Sequence, residues 1–154
     1  MNNFFWDFDI ASNGNICIAT ETGHLIFFNY KKPDKKYILK GHSDRIRCCK
    51  FNLGGDKIAS GSDDNSIIIW NVASEKCELV FNGHSDRVWG IEFLSEERIV
   101  SISHDHSIII WDLVTGTMLS RLFLSKPLTA ICFLENNRLV VGDFQGNIRM
   151  LEIN

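Results

Sequence analysis

The apolar residues of the chain come in short runs of four to six, separated by clusters of glycine, asparagine, aspartate and serine. One such series is IRCCKF, KIAS, SIIIW and CELVF, which spans residues 46–81. β-Branched and aromatic residues dominate the runs, and no window keeps a 3.6-residue period. The pattern therefore predicts short antiparallel strands joined by tight turns, four to a series, and almost no helix.

The series repeats after about 42 residues. GHSDRIRCCKF at residues 41–51 returns as GHSDRVWGIEF at residues 83–93, and SGSDDNSIIIWN at residues 60–71 returns as SISHDHSIIIWD at residues 101–112. Runs such as SIIIW are apolar on both faces, so each such strand must be covered on both sides. We therefore predict equivalent sheets that stack face against face.

The spacing divides the chain into four units. A step of 42 residues backward from Trp70 reaches Phe28, and a step of 40 residues forward from Trp111 reaches Leu151. We predict a single domain, residues 1–154, made of units 1–40, 41–82, 83–124 and 125–154. The fourth unit is short, which gives fifteen expected strands instead of sixteen.

These features resemble the WD-repeat β-propeller family: a period near 42, a Gly-His pair, an aspartate in a tight turn, and a Trp-Asp that closes the next strand. Units two and three carry the whole pattern. In units one and four only the spacing carries it, because Thr22 and Gln145 stand where the turn aspartate is expected. The resemblance implies an all-β fold, a partial β-propeller of four four-stranded antiparallel blades with the last blade incomplete.

The last unit has a narrower resemblance. PLTAICFLENNRLVVGDFQGNIRMLEI is similar to the final repeat of WD propellers at the C-terminus of bacterial signal-transducing NTPases of the STAND class. The chain has no GxxxxGK[ST] phosphate loop. This resemblance would therefore make the chain the sensor end of such a protein, or a free-standing relative.

Four blades of the family's usual wedge angle span about half a ring, which leaves two apolar sheet faces at the ends. We expect a second chain to complete the ring, either another copy in a homodimer or a different propeller segment. A longer protein that contains this chain, and a tight four-bladed ring, are the alternatives. A mainly structural, oligomerising role is the corresponding alternative function.

The resemblance also implies a buried polar relay in each of the two complete units. Its predicted members are His42, Ser62, Asp64 and Trp70 in unit two, and His84, Ser103, Asp105 and Trp111 in unit three. Ser60 and Ser101 are the alternates, because they lie on the same strand faces. A buried carboxylate or indole N–H needs a partner, whatever the family. These residues look like a nucleophilic triad, but they recur at the same offsets in two copies, so we predict a structural role and no enzyme.

The family's favoured contact positions predict where a protein or peptide would bind. They are Arg45, Arg47 and Asp63 in unit two, and Arg87, Trp89 and His104 in unit three. Arginine and tryptophan are enriched where binding energy concentrates. The alternative is a solvated rim in which Asp44 and Asp86 pair with the arginines. The chain is then a non-catalytic interaction module, a scaffold or a sensor.

Charge and composition narrow the remaining classes. A formal net charge of −3 and a pI near 5.9 argue against nucleic acid as a partner, and no apolar run is long enough to cross a membrane. The basic run KKPDKK is interpreted as an exposed hairpin loop. We expect no cofactor and no metal, since no CxxC pair occurs and His104-Asp105-His106 lacks further ligands. The five cysteines are expected to be reduced core residues, and the cytoplasm is the default location.

Overall fold

The computed structural model describes residues 4–153, and all of its regular structure is β-strand. The fifteen predicted strands are present, and their bounds are β1 Phe5–Ile10, β2 Asn15–Thr20, β3 His24–Asn29, β4 Lys32–Lys40, β5 Ile46–Phe51, β6 Lys57–Ser62, β7 Ser66–Asn71, β8 Lys76–Asn82, β9 Val88–Ser95, β10 Arg98–Ser103, β11 Ser107–Asp112, β12 Thr117–Phe123, β13 Leu128–Leu134, β14 Arg138–Asp143 and β15 Ile148–Glu152. Within the described part of the chain, nothing has the length and apolar character of a membrane-spanning helix.

The strands form four antiparallel sheets, each made of neighbours in the chain. Blade 1 contains β1–β4, blade 2 contains β5–β8, blade 3 contains β9–β12, and blade 4 contains β13–β15. Each sheet falls within one of the four predicted units. The three-stranded blade 4 confirms the prediction that the last blade is incomplete.

The blades stack through their faces, with the inner strands β1, β5, β9 and β13 side by side along one edge. In β7, Ile67 and Ile69 pack into the core shared with blade 3, whereas Ile68 and Trp70 pack into the core shared with blade 1. This arrangement is what an apolar run without alternation requires, because both of its faces are buried.

Glycine allows the closest approaches between blades. A Cβ atom on Gly61 would lie 2.5 Å from Val88 Cγ1, and one on Gly90 would lie 2.5 Å from Ile131 Cγ2. Both distances are shorter than a carbon–carbon contact permits. Blade 2 can therefore meet blade 3, and blade 3 can meet blade 4, only where these side chains are absent.

Two sheet faces stay uncovered among residues 4–153. On blade 1, Phe8 and Ile10 expose 66% and 55% of their surface on the face away from blade 2. On blade 4, Ile148 and Met150 expose 77% and 58% on the face away from blade 3. The four blades thus form an open fan, a partial propeller, and not the tight four-bladed ring considered as an alternative.

The cysteines depart in part from expectation. All five are free thiols, and Cys17, Cys48 and Cys49 are buried between blades. The prediction that every cysteine lies in the core is wrong for Cys77 and Cys132, which are exposed. The physical reason is position, since Cys77 lies on an outer strand and Cys132 lies on the uncovered face of blade 4.

Candidate functional site

The buried polar relay of blade 2 links the loop before β5 to the third strand of the sheet. His42 lies 3.0 Å from Asp64 through Nδ1 and 2.8 Å from Ser60 Oγ through Nε2. The indole Nε1–H of Trp70 donates to the same Ser60 oxygen at 2.8 Å. Ser60 therefore serves two buried groups at once.

Blade 3 repeats this geometry. His84 Nδ1 lies 2.9 Å from Asp105, its Nε2 lies 2.7 Å from Ser101 Oγ, and Trp111 Nε1–H donates to Ser101 at 2.8 Å. His84 and Trp111 are almost fully buried. Satisfying every polar group is what makes such a network compatible with a packed core.

The prediction that Ser62 and Ser103 are the relay serines is wrong. The alternates, Ser60 and Ser101, lie between the histidine and the tryptophan instead. Ser62 lies at the end of β6, where its hydroxyl donates to Asp44 O and accepts the N–H of Asp64. Ser103 does the same with Asp86 O and Asp105 N–H. The strand register decides this difference, because Ser60 and Ser101 lie further from the turn, beneath the indole rings.

Ser66 and Ser107 are relay members that sequence reasoning missed. Ser66 Oγ donates to Asp64 at 2.6 Å and lies 3.1 Å from His42 Nδ1, and Ser107 repeats both contacts in blade 3. Their sequence signal was present, because both are the serine that precedes the III run. Each turn carboxylate is thus held by two side chains, a histidine and a serine, and by two backbone N–H groups.

These contacts give the turn aspartates a low pKa. Burial alone would raise the pKa of Asp64, but hydrogen bonds from His42 and Ser66 outweigh burial and hold it well below its ordinary 3.8. The Asp105 carboxyl is held low in the same way by His84 and Ser107. Both carboxylates therefore stay ionised in the folded chain at a pH where unfolded aspartate takes up a proton.

We predict that stability falls as the pH drops below about 4, because a folded-state pKa below the unfolded value stabilises the fold only while unfolded aspartate is ionised. Urea unfolding between pH 6 and pH 2.5 measures this slope, which is the change in the free energy of unfolding with pH. The Asp64→Asn/Asp105→Asn double variant should lose most of it, whereas Asp34→Asn, at an exposed position on β4, should keep it. An equal slope in both variants would contradict this role for the relays.

A row of stacked side chains crosses the loop-bearing end of the inner strands. The guanidinium of Arg47 lies between two indoles, 4.2 Å from the ring centre of Trp6 and 4.9 Å from that of Trp89. Trp89 stacks on His104 with ring centres 4.9 Å apart, and His104 meets Phe144 edge-on at 6.3 Å. We call Trp6, Arg47, Trp89, His104 and Phe144 the aromatic row; it spans all four blades.

An ion pair with Asp63 holds Arg47, the second member of the row, in place. Arg47 donates from Nε and Nη2 to the two oxygens of Asp63, both at 2.8 Å, and the Arg47 side chain is almost fully buried. Bidentate pairing holds the guanidinium plane and therefore the indole on each side of it. Burial also lowers the pKa of His104, with the charges of Arg87 and Arg47 acting in the same direction, which favours a neutral ring in the stack.

The structure brings most of the predicted contact residues together. Arg47, Asp63, Trp89 and His104 meet in or beneath the row, and Arg45 reaches Asp63 at 3.3 Å. Arg87 lies at the rim, where its Nε is 3.7 Å from Asp86 and its side chain is about half exposed. The rim pairing considered as an alternative is thus present at Arg87 with Asp86 and at Arg45 with Asp44, while Arg47 belongs to the row.

Trp6 and Phe144 are members of the row that sequence reasoning missed. Trp6 is the second residue of β1, as Arg47 is of β5 and Trp89 of β9. Phe144 directly follows β14, as Asp63 follows β6 and His104 follows β10. These shared repeat positions were a usable signal, although units one and four lack the motif that draws attention to them.

Two polar atoms of the row are unpaired within the described part of the chain. Trp89 Nε1 and His104 Nε2 are buried and have no hydrogen-bond partner there. Beside the row, the inner strands line a cavity of about 370 Å³ whose walls include Lys50 and Glu92, 3.7 Å apart. The end of the fan thus combines a rigid aromatic surface with an adjoining concave, partly charged wall.

Sequence comparison assigns the family. The profile described as "WD domain, G-beta repeat" matches residues 33–71 and 75–112, half of the chain. The chain belongs to the WD-repeat family. The two matched segments contain blade 2 and most of blade 3, with both polar relays, which confirms the family resemblance inferred from the repeat.

WD-repeat relatives match the same region. The F-box/WD repeat-containing protein 7 of Drosophila melanogaster is 38% identical over 68 residues, which are 43% of this chain and 5% of that protein. Periodic tryptophan protein 2 of Arabidopsis thaliana is 30% identical over 80 residues, 51% of this chain and 9% of its own length. The chain spans about a tenth or less of these relatives.

Solved structures match the fold over the whole chain. The RRP9 WD40 repeats superpose with a TM-score of 0.91 at 23% identity, covering 99% of this chain and 49% of theirs. The computationally designed Ika4 protein superposes at 0.87 and 19% identity, covering 100% of this chain and 94% of its own. The fan is therefore half as long as the first chain and nearly as long as the second.

Proposed function

We propose that this chain is a non-catalytic protein-interaction module whose loop-bearing end binds a protein or peptide at the aromatic row. The observation that carries the proposal is the row itself. Five side chains from four blades are aligned there, although the packing of the core does not require that alignment. Trp6 and Phe144 leave 44% and 73% of their surface exposed at its two ends. A core would have buried them.

The physical character of the row suits a protein ligand. Tryptophan and arginine dominate binding energy at interfaces, since they bury much surface and also offer donors. The row is preorganised, because Asp63 and the stacking contacts hold Arg47 and Trp89 before a ligand arrives. Binding therefore costs little side-chain entropy. Arg45 and Arg87 stay predicted contacts beside it.

A catalytic role finds no support in the same residues. The histidines, serines and aspartates of both relays are engaged with one another and with the indoles, and the set occurs twice. WD-repeat propellers generally serve as non-enzymatic scaffolds. The relays are accordingly assigned to blade stability, and the row to binding.

We expect Trp89→Ala to weaken peptide binding about tenfold or more, because truncating a central aromatic anchor costs roughly 1.4 kcal/mol or more. The probe is a set of peptides selected from a random displayed library on the wild-type chain, and the measurement is the dissociation constant by calorimetry. Phe144→Ala, at the exposed end of the row, should give a smaller loss.

Leu53→Ala is the matched control. Leu53 is 91% exposed in the turn between β5 and β6, at the opposite end of the strands. Its affinity should equal that of the wild type. Selected peptides that bind Trp89→Ala as tightly as the wild type, or lose affinity only with Leu53→Ala, would place the binding surface elsewhere and refute this function.

A second candidate function is assembly, and the two uncovered faces favour it. Each face presents several exposed apolar side chains in one sheet, more than soluble monomers usually leave in one patch. A second chain that covers both would make the fan a structural or oligomerising unit. Light scattering tests this role, and a mass near 17.6 kDa at every concentration would contradict it.

The remaining predictions extend this proposal. The similarity of the last unit to the sensor ends of STAND-class signalling NTPases would make the row a sensing surface, and the cytoplasm is the location we propose. A gene in which the same reading frame encodes an NTPase domain would support the first of these. A relative with a secretory leader would contradict the second.

A further inference from the structure

We propose that a second copy of this chain covers both uncovered faces, with blade 4 of each copy packed on blade 1 of the other. Two copies then close one ring of eight blades. This inference rests on the assembly role above and specifies its partner and its contact. We call the contact between two consecutive blades a seam; the chain contains three. The inference is carried by the side chains that face each other across these three seams.

The inner strands follow one rule at these seams. The third residue of each strand faces the following blade: Asp7 accepts the N–H of Cys49 at 3.0 Å, and Gly90 meets Ile131. The fourth residue faces the preceding blade, as Cys49 does when its sulfur lies 3.4 Å from that of Cys17. Each seam therefore pairs a third residue with a fourth residue of the next strand.

Phe8 and Ala130 are the residues that this rule leaves without an opposite. Phe8 is the fourth residue of β1 and is 66% exposed, and Ala130 is the third residue of β13 and is also exposed. At the contact between blades 3 and 4, a small third residue, Gly90, faces a large fourth one, Ile131. Packing Phe8 of one copy on Ala130 of the other continues that size complementarity.

The remainder of both faces fits the same contact. Ile10 lies at the repeat position of Phe51, Phe93 and Phe133, each of which packs into a seam. Opposite it, Cys132 is the fifth residue of β13, and the face around it is apolar through Val140, Ile148 and Met150. The two faces thus present to each other what blades 2, 3 and 4 present inside the fan.

Symmetry explains why one pairing suffices. A two-fold axis relates the two copies, so the contact of blade 4 on blade 1 occurs twice and both seams are identical. All four uncovered faces are then buried at once. A single seam would leave one apolar face on each copy in water, which makes the closed pair the favoured state.

Thiol labelling with a maleimide tests the pairing, because only two of the five cysteines are exposed. Cys132 lies in the proposed seam, and Cys77 on outer strand β8 lies outside it and serves as an internal control. At a concentration where light scattering gives twice 17.6 kDa, Cys132 should react at least tenfold more slowly than Cys77. On dilution to the single-chain mass, the labelling rate of Cys132 should rise at least tenfold, while that of Cys77 should stay the same.

The Phe8→Asp variant supplies the matched change, since Phe8 is exposed and its substitution leaves the core of the fan intact. It should give the single-chain mass and fast labelling of Cys132, while Val114→Asp, at a 72% exposed turn position, should keep the doubled mass. A doubled mass with fast Cys132 would overturn this seam but leave assembly standing. A single-chain mass of the wild-type chain at every concentration would overturn both this seam and the assembly role.

Discussion

Replacing Trp111 with alanine should lower the free energy of unfolding by about 3–5 kcal/mol, the range for truncating a large buried aromatic side chain. The indole is 2% exposed and packs on Phe81, with ring centres 4.9 Å apart. Its removal opens a cavity between blades 2 and 3 and takes a donor from Ser101. Urea unfolding followed by far-UV circular dichroism measures the loss.

Leu151→Ala is the comparison. Leu151 occupies the equivalent repeat position in blade 4, but it is only partly buried and no relay reaches it. Its replacement should cost roughly half as much, because less apolar surface leaves the core. Should Trp111→Ala fail to fold, Trp111→Phe keeps a ring and isolates the lost N–H. A Trp111→Ala loss no greater than that of Leu151→Ala would contradict the stabilising role of the relay tryptophan.

Ser101→Ala should be the more informative serine variant. The Ser101 hydroxyl serves both His84 Nε2 and Trp111 Nε1, so its removal leaves two buried polar groups without a partner. We expect a loss of about 2–4 kcal/mol, because each unsatisfied buried group costs roughly 1–3 kcal/mol. The measurement is again the free energy of unfolding in urea.

Ser103→Ala controls for the general effect of removing a serine from β10. Ser103 bonds only backbone groups at the turn, Asp86 O and Asp105 N–H, which lie closer to solvent. Its loss should be nearer 1 kcal/mol, the net value of an ordinary hydrogen bond. If Ser103→Ala costs as much as Ser101→Ala, the relay does not depend on the serine under the indole.

The sequence predicts the architecture because the repeated residues are the ones that pack between blades and form the relays. The doubly apolar run SIIIW requires a sheet on each side, and the Gly-His and Trp positions recur because blades 2 and 3 use the same relay. Blade 4 has no such relay, since Val141 and Leu151 replace its serine and tryptophan. Blade 4 is predicted only from the spacing of the repeat. That it has three strands and not four is predicted from the shortness of the fourth unit.

The details that sequence reasoning missed depend on geometry across strands. Ser60 and Ser62 lie on the same strand face, so periodicity alone gave no reason to prefer either. The register of β6 on β7, with Ile58 opposite Trp70 and Ser60 two residues further on, places Ser60 beneath the ring. Likewise Trp6 joins Arg47 only because neighbouring inner strands lie side by side.

We expect the aromatic row, and not the relays, to recognise a partner. The chain has four tryptophans, and the structure divides them equally: Trp70 and Trp111 donate their indole N–H within the relays, while Trp6 and Trp89 lie in the row. The most direct test follows the four indole N–H signals by nitrogen-15 NMR while a library-selected peptide is added. The Trp6 and Trp89 signals should shift, and those of Trp70 and Trp111 should stay in place. Shifts confined to Trp70 and Trp111, or no shift on saturation, would contradict recognition by the row.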